Sequence, residues 1–337
     1  MAVPPLVTVC IPTIGRVHTL RGALHSFRAQ SYANSELLIL DNACPADAQE
    51  IINLYVKEEP RARVLRSEQR LHMFANFSRG IDAAKGKYLT FFHDDDLYEP
   101  DFLQSHVSML ERNQEAGFSG SNCYVIDARD QLVGERRIIR RDDVWSGRRY
   151  IATLARLGVN VFPMQSVVFR RTALGASPFD ESMNVSVSDF VILMRVAEQW
   201  DVALLTAPLM RMRVHEGQFS QRISSRDFVT LRTEVFNHYC IEFASRFPEE
   251  RQFMQDLEAS VSGLRLRGLL WGWLAAASAA DAADCLNELG GSFKETLLRF
   301  LLSNSERAGL SFTARQKVLL PAVRRAGYAL ERFRSYW

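Results

Sequence analysis

Four short apolar runs punctuate the first hundred residues, at Leu6–Ile11, Glu36–Leu40, Arg63–Leu65 and Tyr88–Phe92. Unbroken runs of this length are the pattern of strands covered on both faces. Helical spacing fills the gaps between them. Val17, Leu20, Leu24 and Phe27 recur at steps of three and four, a second segment runs over 46–57, and a third over 74–84 stops before Gly86, a C′ position. This β-α-β-α-β-α-β order predicts an α/β chain, with a mostly parallel central sheet, right-handed crossovers and helices on both faces. Ligands of such open sheets sit beyond the carboxyl ends of the strands. Here those ends carry Pro12-Thr13, Asp41-Asn42 and His93-Asp94-Asp95-Asp96.

Downstream, the pattern predicts a helix over 100–113, a strand at Phe118–Ile126, a turn at 128–130 and a solvated basic loop. That loop holds three arginine pairs, Arg136-Arg137, Arg140-Arg141 and Arg148-Arg149. Strand-like Gln165–Phe169, helical Phe190–Gln199 and strand-like Val202–Leu205 and Met210–Val214 follow, and from about 222 the pattern is helical. We therefore expect an α/β domain over 1–222 and an α-helical C-terminal region over 223–337.

Composition narrows the function classes. At 47% hydrophobic and 24% charged residues, the chain reads as an ordinary globular protein, which excludes collagen-like, disordered and disulfide-scaffold classes. The formal charge of +2 excludes a nucleic-acid binder that works through overall basicity. Residues 291–337 carry a surplus of six positive charges, which leaves −4 for residues 1–290. The five cysteines are widely spaced and form no CxxC, which fits a reducing cytosol and argues against a zinc site. The first residues show no charged n-region or cleavage signal, and the uncharged, Ala-rich stretch Gly268–Ala280 has 13 residues where a bilayer span needs about 20. It reads as a buried helix in a cytoplasmic protein.

The acidic triplet Asp94-Asp95-Asp96 follows a strand of aromatic and β-branched residues. Adjacent carboxylates repel one another unless a cation is bound. If the strand geometry persists, Asp94 and Asp96 point the same way and jointly hold a hard divalent ion, Mg²⁺ or Mn²⁺, which such sites share with substrate phosphates. The competing reading has Asp96 capping the next helix.

The blocks Val7-Thr8-Val9-Cys10-Ile11-Pro12-Thr13, Glu36-Leu37-Leu38-Ile39-Leu40-Asp41-Asn42, Ala75-Asn76-Phe77-Ser78-Arg79-Gly80-Ile81 and Phe92-His93-Asp94-Asp95-Asp96 resemble, in order and spacing, a family 2 glycosyltransferase. The resemblance continues through Phe179-Asp180-Glu181, Ser188-Asp189-Phe190 and Arg213-Val214-His215, and covers residues 5–222. It implies a GT-A fold, a Rossmann-like sheet, and an inverting, metal-dependent enzyme of the bacterial polysaccharide-assembly type.

By that resemblance Pro12, Thr13, Asp41, Asp94 and Asp95 line the nucleotide pocket, with Arg70 and Asn76 beside them. Asp41 accepts a hydrogen bond from the base, Asp96 ligates the metal with Asp94, and His215 reaches the metal or the diphosphate. Asp189 matches the catalytic base. It also carries an N-cap signal with Ser188, and the two roles are compatible. The donor implied is a nucleotide-diphosphate sugar, UDP-linked ahead of dTDP- or GDP-linked, and the acceptor is a glycan or lipid-linked saccharide. Two departures fall around the base and leave its identity open: Ile14-Gly15 after Pro-Thr, and Cys44-Pro45-Ala46 after Asp-Asn.

The chemistry has physical grounds of its own. Negative charge develops on the leaving diphosphate, which a divalent cation stabilises, and a carboxylate takes the proton of the attacking hydroxyl. A dinucleotide oxidoreductase is disfavoured because Pro12-Thr13-Ile14-Gly15-Arg16 has no GxGxxG. A non-catalytic nucleotide-sugar-binding or scaffold protein is the remaining alternative.

Finally, Leu319, Val323, Ala326, Leu330, Phe333 and Trp337 fall on one helical face, with arginines off it. Such a basic amphipathic helix packs on protein, self-associates, or lies on an anionic membrane at the inner face of the cell.

Overall fold

The computed structural model describes residues 3–175, 188–214 and 225–275. The chain divides into two compact units, one of Met1–Ile151 with Asn160–Glu216 and one of Ala152–Val159 with Gly217–Trp337.

In the first unit the element order is β1 (Val7–Thr13), α1 (Val17–Arg28), β2 (Ser35–Asn42), α2 (Ala46–Glu58), β3 (Ala62–Ser67), α3 (Met73–Ala83) and β4 (Tyr88–Phe91). Then come β5 (Leu97–Tyr98), α4 (Phe102–Arg112), β6 (Ala116–Ile126), β7 (Leu132–Arg136), β8 (Asp143–Trp145) and α5 (Gly147–Leu157), whose residues from Ala152 on belong to the second unit. β9 (Val168–Arg170), α6 (Ser188–Ala197) and β10 (Asp201–Arg213) complete it. The sheet runs β3-β2-β1-β4-β9-β6-β10-β5, with β7 on β6 and β8 on β10. The pairs β3–β2, β2–β1, β1–β4 and β6–β10 are parallel, while β9 is antiparallel to both its neighbours. β5, β7 and β8 are antiparallel additions as well. Six of the ten described strands, β1 to β4, β6 and β10, run the same way, so the sheet is mostly parallel, as the βα alternation requires.

Period-2 alternation explains why both faces are covered. Val7, Val9 and Ile11 of β1 and Leu37 and Ile39 of β2 join one core with Leu20, Leu24 and Phe27 of α1, Ile52 of α2 and Leu103 of α4. The intervening positions face α3, where a Cβ on Gly80 would come within 3.0 Å of Cys10 Sγ and 2.8 Å of Leu40 Cδ1. Gly86 has a different role from the helix cap expected of it. α3 ends at Ala83, and a Cβ at Gly86 would lie 2.6 Å from Thr8 N and 2.8 Å from Leu6 O. The glycine lets the chain cross the start of β1 closely, and its N–H donates to Thr8 Oγ1 at 2.9 Å.

The loop expected to carry the arginine pairs is largely structured: Arg136 ends β7, and Arg148 and Arg149 open α5. Tyr150, Ile151, Leu154 and Ala155 are fully buried, so an apolar face anchors α5 in spite of the basic residues around it. The two strand segments expected near 202–214 are one strand. β10 continues through register shifts on either side of Pro208, where the missing N–H disturbs the ladder.

In the second unit, α7 (Ser225–Arg246) and α8 (Arg251–Ala275) bury Phe236, Tyr239, Phe243, Leu257, Val261 and Leu264. No helix among the described residues is long and apolar enough to cross a membrane. The amphipathic stripe of 319–337 lies outside the described residues.

Candidate active site

Order reverses between β1 and β4, since β1 leads outward to β2 and β3 while β4 lies on its other flank. A crevice opens at the carboxyl ends of such a strand pair. Thr13 at the end of β1 donates its hydroxyl to Asp94 Oδ2 at 2.6 Å, across that point. Arg16, in the turn after β1, brings Nη1 to 2.6 Å from Asp94 Oδ1. Both oxygens of the buried Asp94 are thus engaged. Burial pushes its carboxyl above the usual range, against the pull of Arg16 and Thr13.

The expected alternation of Asp94 with Asp96 fails locally because β4 stops at Phe91 and residues 93–96 form a turn, with Asp96 N–H donating to His93 O at 3.3 Å. The turn instead gathers His93, Asp95 and Asp96, whose ligand atoms all lie within 4.8 Å of one another. Asp94 is not among them. Asp96 Oδ1 accepts the Arg213 N–H at 2.8 Å, while its Oδ2 is buried and has no hydrogen-bond partner. Burial, and then the charge of Asp95, push the Asp96 carboxyl well above the carboxylate range. Burial also holds His93 below its usual value, leaving the neutral imidazole that a metal requires.

Arg213, at the end of β10, holds this turn in place. It is 5% exposed; Nε donates to Asp95 O at 2.7 Å and Nη1 to Asp127 O at 3.0 Å, and Nη1 also lies 2.5 Å from Asp130 Oδ1. His215, two residues further on, lies outside the described residues.

The other expected residues fall nearby with separate partners. Asp41, fully buried at the end of β2, accepts from Cys44 N–H at 2.9 Å and from Arg66 Nε at 2.7 Å. It closes a turn in which Ala43 adopts φ +54°. Asn42 clasps Leu71 through both backbone groups, at 2.7 and 3.1 Å, and so pins the loop that bears the exposed Arg70. Asn76 is buried in α3; it donates to Leu40 O at 3.4 Å and accepts from Arg79 at 3.1 Å, stitching the helix to β2. Pro12 is half-buried in β1 opposite Leu40.

Asp189 belongs to a second cluster at the start of α6. Its Oδ1 accepts the Phe190 N–H at 3.0 Å, as a residue in a first helical turn does, and its Oδ2 accepts Asn160 Nδ2 at 2.6 Å. Asn160 O in turn accepts from the buried Arg136, whose charge Asp189 helps to sustain against burial.

Residues 8–174 match the family model described as glycosyl transferase family 2. They form a glycosyl transferase family 2 domain. Over 113 residues this chain is 31% identical to the amylovoran biosynthesis glycosyltransferase AmsB of Erwinia amylovora, covering 33% of the chain and 37% of AmsB. Over 245 residues it is 22% identical to an uncharacterized glycosyltransferase, MJ1057, of Methanocaldococcus jannaschii, covering 70% of the chain and 82% of MJ1057. The chain matches about half or less of the length of other curated relatives, and 12% of the Sinorhizobium fredii protein y4gI. Among solved structures, S. aureus TarS 1–349 in complex with UDP-GlcNAc superposes with a TM-score of 0.63 at 15% identity, over 84% of this chain and 79% of that one. The mannosyltransferase PcManGT of Pyrobaculum calidifontis, in complex with GDP-Man and Mn²⁺, gives 0.54 at 16% identity, over 96% and 86%. At these identities the structures establish the shared GT-A fold.

The sequence places His93 at a strand end without marking it as a ligand, and assigns no role to Arg16 or Arg213. Arg213 was quoted in the family blocks but carries no local signal, since its partner Asp96 lies 117 residues away.

Proposed function

We propose that this chain transfers a sugar from a nucleotide-diphosphate donor to a hydroxyl of a glycan or lipid-linked acceptor, with inversion and with a divalent cation. The observation that carries the reading is the convergence of His93, Asp95 and Asp96 at the sheet's switch point, with one buried Asp96 oxygen left without a partner. A buried carboxylate oxygen with no donor is the condition that a hard cation relieves. The residues therefore fit the group. His93, Asp95 and Asp96 would hold Mn²⁺ or Mg²⁺, which would supply electrostatic stabilisation of the charge developing on the leaving diphosphate.

The chain's own residues divide the remaining work. Thr13, Arg16 and Asp94 form the wall of the crevice next to the diphosphate, and Arg16 adds a positive charge there. Asp41 and the Asn42-pinned loop form the end that would meet the base. Asp189 takes the acceptor proton. Its Oδ2 is held by Asn160, whose carbonyl accepts from the buried Arg136, so the carboxylate is oriented before the acceptor arrives.

A UDP-sugar is the favoured donor, and support for a nucleotide sugar comes from UDP-GlcNAc in TarS and from GDP-Man with Mn²⁺ in PcManGT. AmsB supports a setting in surface polysaccharide synthesis. On this reading residues 1–222 are the catalytic domain, 223–337 an appended helical region, and the enzyme acts in the cytoplasm. The stripe of 319–337 serves placement, against protein or against the membrane.

The test is a panel of nucleotide sugars assayed for nucleoside diphosphate release with and without Mn²⁺ and acceptor. Metal-dependent release from one donor, lost in Asp96→Ala, supports the transferase. Asp189→Asn is expected to keep donor binding and lose transfer; unchanged turnover removes it as the base. Silence across the panel favours a non-catalytic nucleotide-sugar-binding protein.

A further inference from the structure

A cavity of about 170 Å³ lies in the arginine-rich segment. Val161 and Leu204 contribute to its apolar wall, and Arg140, Arg141, Arg149 and Trp145 line the polar side. It is far from the donor site. Leu204 and the Arg213 that anchors Asp96 are nine residues apart on β10, and at about 3.3 Å per residue that is roughly 25–30 Å.

The segment is rigidly built. Asn122, buried on β6, donates through Nδ2 to Ile139 O at 2.9 Å and to Thr206 O at 2.8 Å. Its Oδ1 accepts the N–H groups of Ile138 and Ile139 at 3.0 and 3.1 Å. Asp142 Oδ1 accepts both N–H and hydroxyl of Thr206, at 2.8 and 2.7 Å. The backbone bearing Arg140 and Arg141 is thereby tied to β6 and β10. The Trp145 indole N–H donates to Asp143 Oδ2 at 3.0 Å, and the Arg149 guanidinium stacks 4.3 Å from the ring centroid. The positions of both groups are set before any ligand arrives.

Three guanidinium groups line the cavity. Asp143 is the one carboxylate lining the cavity, and its Oδ2 lies 3.7 Å from both Arg141 and Arg149. Arg141 and Arg149 flank it, and Arg140 makes no ion pair or hydrogen bond among the described residues. Like charges around a small, partly apolar space repel one another, and an anion between them relieves this. Guanidinium forks match phosphate oxygens in pairs. Pockets for drug-sized ligands are about 300–1,000 Å³, so a cavity of about 170 Å³ is too small for a whole nucleotide sugar and suits one compact charged group.

We propose that this cavity is a second anion site, which binds a phosphoryl or diphosphoryl group through Arg140, Arg141 and Arg149, with the apolar wall taking the atoms bonded to it. The group is either that of a free phosphorylated molecule or the headgroup of a lipid at the membrane. Trp145 reports on occupancy.

The test uses the full chain in EDTA at low salt, so that a cation-dependent diphosphate site is silent. Sodium pyrophosphate is titrated while tryptophan fluorescence and calorimetric heat are followed, and vesicles of phosphatidylglycerol or of phosphatidylcholine are co-sedimented in parallel. The site predicts pyrophosphate binding, or phosphatidylglycerol-selective binding, weakened at least tenfold in Arg140→Ala/Arg149→Ala and unchanged in Asp96→Asn. Pyrophosphate binding assigns a soluble ligand, and vesicle binding alone assigns a lipid headgroup. Arg140→Ala is the second variant, because its side chain holds nothing in the fold, and it is expected to lose at least threefold. The fluorescence change is expected to vanish in Trp145→Phe. Affinities equal between the wild type and the arginine variants, or no binding to either probe, overturn the site.

Discussion

Asp96→Asn is expected to act in opposite directions on the metal-free and metal-loaded protein. Without a cation, Asp96 presents one oxygen to the Arg213 N–H at 2.8 Å and leaves the other buried without a partner, beside Asp95. An amide keeps the first bond through its oxygen. It places an NH₂ donor where the orphaned oxygen was, towards the Asp95 carboxylate, whose ligand atom is within 4.8 Å of that of Asp96. An unsatisfied buried polar atom costs about 1–3 kcal/mol, so in EDTA the variant should be more stable than the wild type by that amount. At roughly 2–4 °C per kcal/mol for a domain of about 200 residues, the midpoint should rise by several degrees. Addition of Mn²⁺ at one hundred times its dissociation constant should raise the wild type by about 2.7 kcal/mol and leave the variant where it was. Calorimetric melting of both proteins in EDTA and in Mn²⁺ measures all four quantities. A variant that melts lower than wild type in EDTA refutes the argument from the orphaned oxygen. A variant that still shifts with Mn²⁺ refutes the ligand role.

Three further perturbations follow from the fold. His106 is fully buried in α4 with Nδ1 2.8 Å from Ser119 Oγ, and burial lowers its pKa from 6.5 to about 3. Its folded value is depressed, so its contribution is complete above pH 6.5 and is lost as the pH falls towards 3, at about 1.4 kcal/mol per unit. Urea unfolding at pH 7 and pH 5 should therefore show the wild type losing about 2 kcal/mol more than His106→Asn; parallel losses would discount the histidine. Gly86→Ala should cost about 1–3 kcal/mol and lower the melting temperature, because the new methyl meets backbone atoms that cannot rotate away; an unchanged midpoint would mean that the start of β1 yields. Arg213→Met removes donors from the carbonyls of Asp95 and Asp127 and should cost about 1.5–3 kcal/mol while weakening the Mn²⁺ shift. A loss of stability with the shift intact would make Arg213 purely structural.

The amino-acid sequence by itself determined the α/β class, the strands β1 to β4 and the helices between them. Their signals are periodicities of two and 3.6 residues, carried by neighbours along the chain. It also marked Thr13 and residues 93–96 as candidate site residues, because strand ends can be counted from apolar runs. The family blocks added Asp41 and Asp189. α5 was hidden, although Tyr150, Ile151 and Leu154 have helical spacing, because paired arginines dominate the segment and only burial shows which face wins. Tertiary structure alone decided which carboxylates converge. Asp94 pairs with Arg16 across 78 residues and Asp96 meets Arg213 across 117, so the turn offers His93, Asp95 and Asp96 as the converging set. Local sequence places a carboxylate at a strand end. Where that carboxylate points depends on where the strand stops and on which distant donor arrives beside it, and both depend on how the sheet is assembled.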